Sequence, residues 1–215
     1  MDLSGEVTAL VGAGILLTAL YLQAESFVDP VIDGIALQSL LLAGLLAWLA
    51  YREGSLDLAL LAAITLAVRG LLIPYVLRQQ IRSYRWRVSE RLAAHRVTGH
   101  ALAAVAVAIG AWFLFQETLA AAFPQPGAGL AFVLLAEGLL MLATRTNTLV
   151  QVVGYLEEEN AIVYAGALFA KGFPLFVEVV VFLDVLGVVL VSVILSVQRT
   201  VIGSPEETRL EELAG

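Results

Sequence analysis

TLVQVVGYLEEENAIVYAGALFA, residues 148–170, is long enough to cross a bilayer and apolar along most of its length, yet carries Glu157, Glu158 and Glu159 at its middle. A helical crossing of the hydrocarbon core takes about 20 apolar residues. An acid at that depth is costly unless it is protonated, paired or facing a polar cavity, so such acids mark an ion or proton path. Consecutive helical residues point about 100° apart, so the run spreads carboxyls around more than half of the helix and at least one must face protein. Three adjacent acids repel one another, which favours arrangements that share protons. In a second reading the helix breaks at the run and the acids line a water-filled cavity between two half-helices. Either way they lie at membrane depth, with Asn160 as a neutral hydrogen-bonding neighbour.

The rest of the chain extends this pattern. Of 215 residues, 60% are apolar and only 14% charged, and the mean hydropathy is +0.90. Seven segments fit the bilayer length: 7–24, 31–50, 56–77, 99–123, 127–143, 148–170 and 172–197. Pro30 suits a first helical position, Ser55 suits an N-cap, and the PQPG turn at 124–127 closes the fourth segment. The alternating ten-residue pattern of a membrane β-barrel is missing. The expected fold is therefore an all-α membrane domain of about seven helices. Residues 1–98 form a three-helix part with a basic loop, 99–203 a four-helix part, and 204–215 an acidic tail.

Arg78, Arg82, Arg85, Arg87, Arg91 and Arg96 crowd the connection between segments three and four. By the positive-inside rule that loop is cytoplasmic, which puts Arg145, Arg199 and Arg209 inside and leaves Arg52 and Lys171 outside. The N-terminus is then outside and the C-terminus inside, as expected for a multi-pass protein of the plasma membrane. The acidic start MDLSGE lacks the basic region of a cleavable signal, so the first segment is expected to stay as an anchor. Tyr84 and Trp86 within the arginine loop fit an interface with membrane lipids better than a nucleic-acid patch. A docking surface for a cytoplasmic protein is the other reading of that loop.

No cofactor is expected. The chain has no cysteine for an iron–sulfur cluster and no paired histidines inside a helix for haem, His95 and His100 both lying in or beside the arginine loop. Neither a phosphate-binding glycine loop nor a nucleophile–base pair is present. The one lysine, Lys171, sits at the edge of the last segment, too far out for a retinal Schiff base, and suits a snorkelling role. No inverted repeat suggests an independent transporter.

Further titratable residues lie in the apolar segments. Glu137 is central in the fifth. Glu178 follows Pro174 by one turn in the seventh, where the proline frees a backbone carbonyl for water or a side chain. Asp184 is six residues later, about 240° around the helix, and so makes different contacts. Arg69 lies two-thirds along the third segment, where a structural salt bridge and the tuning of a neighbouring acid are both open.

These residues carry a resemblance. FPLFVEVVVFLDVLGVVL (173–190) and VGYLEEENAIVY (153–164) resemble the last two helices of the hydrogenase-4 component E family. The last three segments are also similar in plan to the K subunit of respiratory complex I and the C subunit of Mrp antiporters, including an Arg145–Asn147 pair leading into the sixth. At the level of helix count the correspondence covers the whole chain, with LQSLLLAGLLAW (37–48) and GLLIP (70–74) falling in step. The resemblance implies that Glu178 is the acid of the final helix. For the helix before it, the component E pattern of Glu-Asn points to Glu159, whereas the K-subunit position falls at or beside Leu156.

It further implies a membrane-arm subunit of a redox-driven proton or sodium pump, beside larger antiporter-like subunits and a hydrogenase-like redox arm. Protons would pass between Glu159 or a neighbour in its run, Glu178 and Glu137. Arg69, Asp184, Lys171 and Asn160 would tune or pair them. The alternatives are a scaffold that joins antiporter-like subunits, for which the glycine- and alanine-rich segments are suited, and a component of an Mrp-type cation/proton antiporter.

Overall fold

The computed structural model describes residues 3–83, 94–169 and 187. They are helical, joined by short turns, with no strand among the described residues. The helices are α1 (Leu3–Ala24), α2 (Val28–Glu53), α3 (Leu56–Ile64), α4 (Ile73–Ser83), α5 (Ala94–Thr118), α6 (Ala128–Thr144) and α7 (Thr148–Phe169). A π-helical segment, Thr65–Leu72, joins α3 to α4 end to end in one rod. Four helices are long and apolar enough to cross a membrane: Gly5–Ala24, Val28–Glu53, Leu56–Gln79 and Val97–Thr118. Ala128–Thr144 is a shorter apolar helix, and α7 matches the others in length but carries its three glutamates. The first six apolar segments thus each form a helix. The seventh lies outside the described residues except for Gly187, which is helical and buried.

Each turn has a local cause. After α1, the Glu25 carboxylate accepts hydrogen bonds from the Ser26 and Phe27 amides at 2.8 and 3.1 Å, which closes the reversal into α2. Pro30 is the third residue of α2 rather than its first. This is tolerated because the first four amides of a helix have no intrahelical acceptor. Gly54 ends α2 with φ 65, and the Ser55 amide reaches back to the Ala50 carbonyl at 3.1 Å, a Schellman closure. Ser55 caps α3 as its position predicts, accepting from the Leu58 amide at 3.3 Å. The fourth segment stops being α-helical at Thr118 and turns through Ala122, short of Phe123. Asn147 caps α7, its Oδ1 accepting from the Leu149 amide at 2.9 Å.

The π segment follows from Pro74. Proline has no amide to offer the carbonyl of Gly70 and its ring presses on that turn, so the α ladder is interrupted there. The wider register fills the gap, with the Ile73 amide bonded to the Val68 carbonyl.

α2 is central, packing on α1, on the α3–α4 rod and on α7, while α6 and α7 run along each other and α5 lies outside against α1 and α6. Two apolar clusters fill the bundle. One holds Leu22, Val31, Ile35, Met141 and Val153, the other Ile15, Leu42, Leu46, Leu134 and Tyr164. The ends alternate as short turns demand. At one end the Arg78 guanidinium pairs with Asp33, and Arg145 reaches the end of α1. At the other, the Tyr164 hydroxyl donates to the Thr8 carbonyl at 3.0 Å. Large apolar side chains such as Leu10, Leu60, Leu102 and Phe113 point outward, which suits a hydrocarbon surround.

Candidate functional site

The interior of the bundle carries a layer of buried polar groups from α1, α2, the π segment, α6 and α7. Their depths follow from helical rise. Glu137 is seven residues from the end of α6 and Glu157 nine from the start of α7, about 10 and 14 Å at 1.5 Å per residue. Both lie well away from the helix ends.

α6 and α7 come together through glycine. A Cβ on Gly138 would stand 2.9 Å from the Glu158 amide nitrogen and 2.9 Å from the Gly154 carbonyl oxygen, and one on Gly154 would stand 3.1 Å from the Leu142 amide nitrogen. Only hydrogens fit between the backbones there, the small-residue contact that membrane helices use. This close approach sets Glu137 beside the glutamate run. Glu137 and Glu157 are both 0% exposed, and Glu137 is a charged neighbour of Glu157. The polar side chains facing these two carboxylates are neutral amides, Gln23 at Glu137 and Gln38 at Glu157. Gln23 lies against Glu137, its Nε2 donating to the Glu137 backbone carbonyl at 2.8 Å.

Glu159 is two residues on from Glu157, about 200° around α7, and faces the other way. There it meets Arg69: Nη2 and the Glu159 Oε2 are 3.4 Å apart, with both side chains almost wholly buried. Arg69 Nη1 also donates to Asn160 Oδ1 at 3.2 Å. The Asn160 amide in turn donates to Gln38 Oε1 at 2.9 Å and to Ser39 Oγ at 3.1 Å. Gln38 borders Glu157 as well. A polar chain therefore runs across the bundle from Glu137 and Glu157 through Gln38 and Asn160 to Arg69 and Glu159. Glu158, between the two buried acids, is only half-buried.

The expectation that at least one acid of the run faces protein is met twice over, by Glu157 and Glu159. α7 is continuous through the run, so the acids do not line a break between half-helices. Arg69 stands in the salt-bridge arrangement, with the Asn160 contact added. Arg145 lies in the short connection between α6 and α7. It is buried, and its Nη2 donates to the Leu22 and Gln23 carbonyls at 3.2 and 2.5 Å. The last carbonyls of α1 lack intrahelical donors and carry partial negative charge, which draws the guanidinium inward.

Glu178, Asp184 and Lys171 lie outside the described residues, as does most of the arginine loop. Gly187 gives one point of contact with the last segment. A Cβ there would stand 3.2 and 3.4 Å from the two Glu159 carboxylate oxygens, so a glycine lies directly over that acid. Gln23, Gln38, Ser39 and Gly187 join the site although none of them is charged. A neutral amide in an apolar segment has the same need for a buried partner, and that was the available signal.

Among the described residues no group of three or more His, Cys, Asp or Glu could hold a metal ion. No family model, no characterised protein and no solved structure matches the chain.

Proposed function

We propose that this chain is a membrane-arm subunit of a redox-driven ion pump of the hydrogenase-4 or complex I kind, and that its buried carboxylates pass protons within the membrane. The observation that carries the reading is the Glu137–Glu157 pair: two acids on adjoining helices, wholly buried, acting on one another and faced by the neutral amides of Gln23 and Gln38. Two charges in that setting are mutually unfavourable, so each becomes a place where a proton is taken up and released. Gln38 and Asn160 link this pair to Glu159, and Arg69 supplies the fixed positive charge that holds Glu159 in place. Glu178, on the last segment, is the next acid in the proposed sequence.

In this reading the chain crosses the plasma membrane seven times with the basic loop inside and the N-terminus outside. It docks beside larger antiporter-like subunits and holds no cofactor, the redox chemistry belonging to a separate arm. The Arg69–Glu159–Asn160 knot favours a second role as scaffold, since it ties the α3–α4 rod to α7 and α2. That role leaves the Glu137–Glu157 pair without a purpose, so conduction is the better account.

The test is redox-driven proton pumping in vesicles carrying the assembled complex, with subunit content and electron transfer measured alongside. Glu157→Gln and Glu178→Gln should each abolish pumping while assembly stays intact. Full pumping in both would leave the acids structural, and lost assembly in both would favour the scaffold.

A further inference from the structure

α7 leaves one stripe of itself uncovered. Between residues 151 and 165 only Gln151, Tyr155, Glu158, Ile162 and Ala165 are not buried, at intervals of 4, 3, 4 and 3. That is the spacing of the seam along which one helix packs on another in a left-handed pair, the crossing most membrane helices use. Glu158 lies at its centre, ten residues into α7 and so about 15 Å from the helix start. Its stem rests on α6, where a Cβ on Gly138 would stand 2.7 Å from its Cγ. Its Oε1 is buried with no hydrogen-bond partner among the described residues. One to two turns further on, the stripe opens into an apolar cavity of about 170 Å³ lined by Phe115, Phe132, Leu135, Ala161, Ile162 and Ala165. A cavity of about 150 Å³ takes a benzene ring, so this one has room for one bulky apolar side chain.

We propose that this stripe is the docking face for a transmembrane helix of a partner subunit, which sets a lysine or arginine against Glu158 and a bulky apolar side chain in the cavity. The two partner residues stand four or seven positions apart, because Ile162 and Ala165, which line the cavity, stand four and seven beyond Glu158. Charge decides the occupant. Lipid tails offer a carboxyl at this depth neither a donor nor a countercharge. A second copy meeting this one through the same stripe would bring two Glu158 side chains together, and like charges there repel. Glu157 and Glu159 flank Glu158 with two more carboxyls, so the complement of this face is basic. A polar group at one seam position also fixes register and partner, which suits a subunit that must join one neighbour and not another. The inference rests on the reading of the chain as one subunit of a membrane assembly and adds the face through which it is joined.

The experiment puts a photoreactive benzophenone side chain in place of Ile162 in the full-length chain within the assembled complex, with Leu102 on α5 as the outward-facing reference. Ile162 is 37% exposed and Leu102 66%, so neither change asks the core to repack. Cross-linked peptides are then sequenced by mass spectrometry. Position 162 should join a membrane helix of another subunit that carries a lysine or arginine within two turns of the cross-linked residue, while position 102 should give lipid adducts. Glu158→Lys should lower the yield from position 162 about tenfold or more, since like charges then face each other. Exchanging the partner's basic residue for glutamate should restore it. Cross-links from position 162 to lipid, to the same chain, to a second copy or to a helix without a basic residue overturn the proposal, as does a yield that Glu158→Lys leaves unchanged. Pumping is measured alongside in Glu157→Gln and in Glu117→Gln, an exposed acid at the end of α5. Pumping lost only in Glu157→Gln, with lipid adducts at position 162, keeps the proton path and removes the docking face. The expected cross-link with pumping intact in both keeps the docking face and removes the proton path.

Discussion

Replacing Arg69 with methionine is the sharpest perturbation of the interior. The change keeps a long unbranched side chain on the π segment and removes the charge. With 3.4 Å between Nη2 and Oε2, the gross attraction is about 5 kcal/mol at an effective dielectric of about 20. Dehydrating the two ions offsets much of that, so the pair itself contributes little net stability. Removing one partner is different, because Glu159 stays buried without its cation, which costs roughly 3–5 kcal/mol in a soluble protein. In a membrane the unfolded reference also finds partners, and single polar contacts are worth only about 1–2 kcal/mol. Arg69→Met should therefore cost about 2 kcal/mol or more, a roughly thirtyfold shift in the folding equilibrium. The double variant Arg69→Met/Glu159→Gln removes both charges and should recover most of the loss, since Asn160 keeps Gln38 and Ser39. Denaturing-detergent titration of the four proteins, followed by circular dichroism, measures the cycle. A double variant as unstable as the sum of the two singles would refute the reasoning.

Further substitutions test the packing and capping of the helices that hold the site. In Gly138→Ala the new Cβ lies 2.9 Å from two backbone atoms, so α6 and α7 must part by about 0.5 Å to reach ordinary contact. A loss of about 1–3 kcal/mol is expected, while Gly44→Ala, with nothing within 4 Å, should leave the thermal midpoint unchanged or raised. Gly12→Ala places a methyl on the Tyr164 ring, 2.7 Å from Cζ, and should break the hydroxyl's bond to the Thr8 carbonyl. Pairing it with Tyr164→Leu should restore part of the lost midpoint. Ser55→Ala removes the cap on α3 and should cost about 1 kcal/mol, seen as faster amide exchange in the first turn of that helix.

The helices were legible because apolar length is a coarse signal that survives errors of several residues at each end. The ends differed where a single residue decides them: the Glu25 carboxylate starts α2 three residues before the expected Val31, and its left-handed Gly54 carries it past Ala50. The widening at Thr65–Leu72 was not legible from periodicity, since one extra residue per turn barely disturbs an all-apolar pattern. Pro74, four residues beyond Gly70, was the available cue. The cost of burying charge singled out Glu137, the glutamate run and Arg69 individually. Which of them meet was not readable, because Arg69 and Glu159 are joined by three-dimensional packing and no local pattern encodes it. Counting degrees around α7 showed that Glu157 and Glu159 diverge, but only the packed bundle assigns one to Glu137 and the other to Arg69.

The central claim is that the Glu137–Glu157 pair carries the transported proton. The most direct measurement is redox-driven acidification in vesicles bearing the assembled complex, comparing Glu157→Gln with Glu117→Gln at matched subunit content and electron-transfer rate. The account predicts that acidification is lost in the first and kept in the second. Equal acidification by both would contradict it.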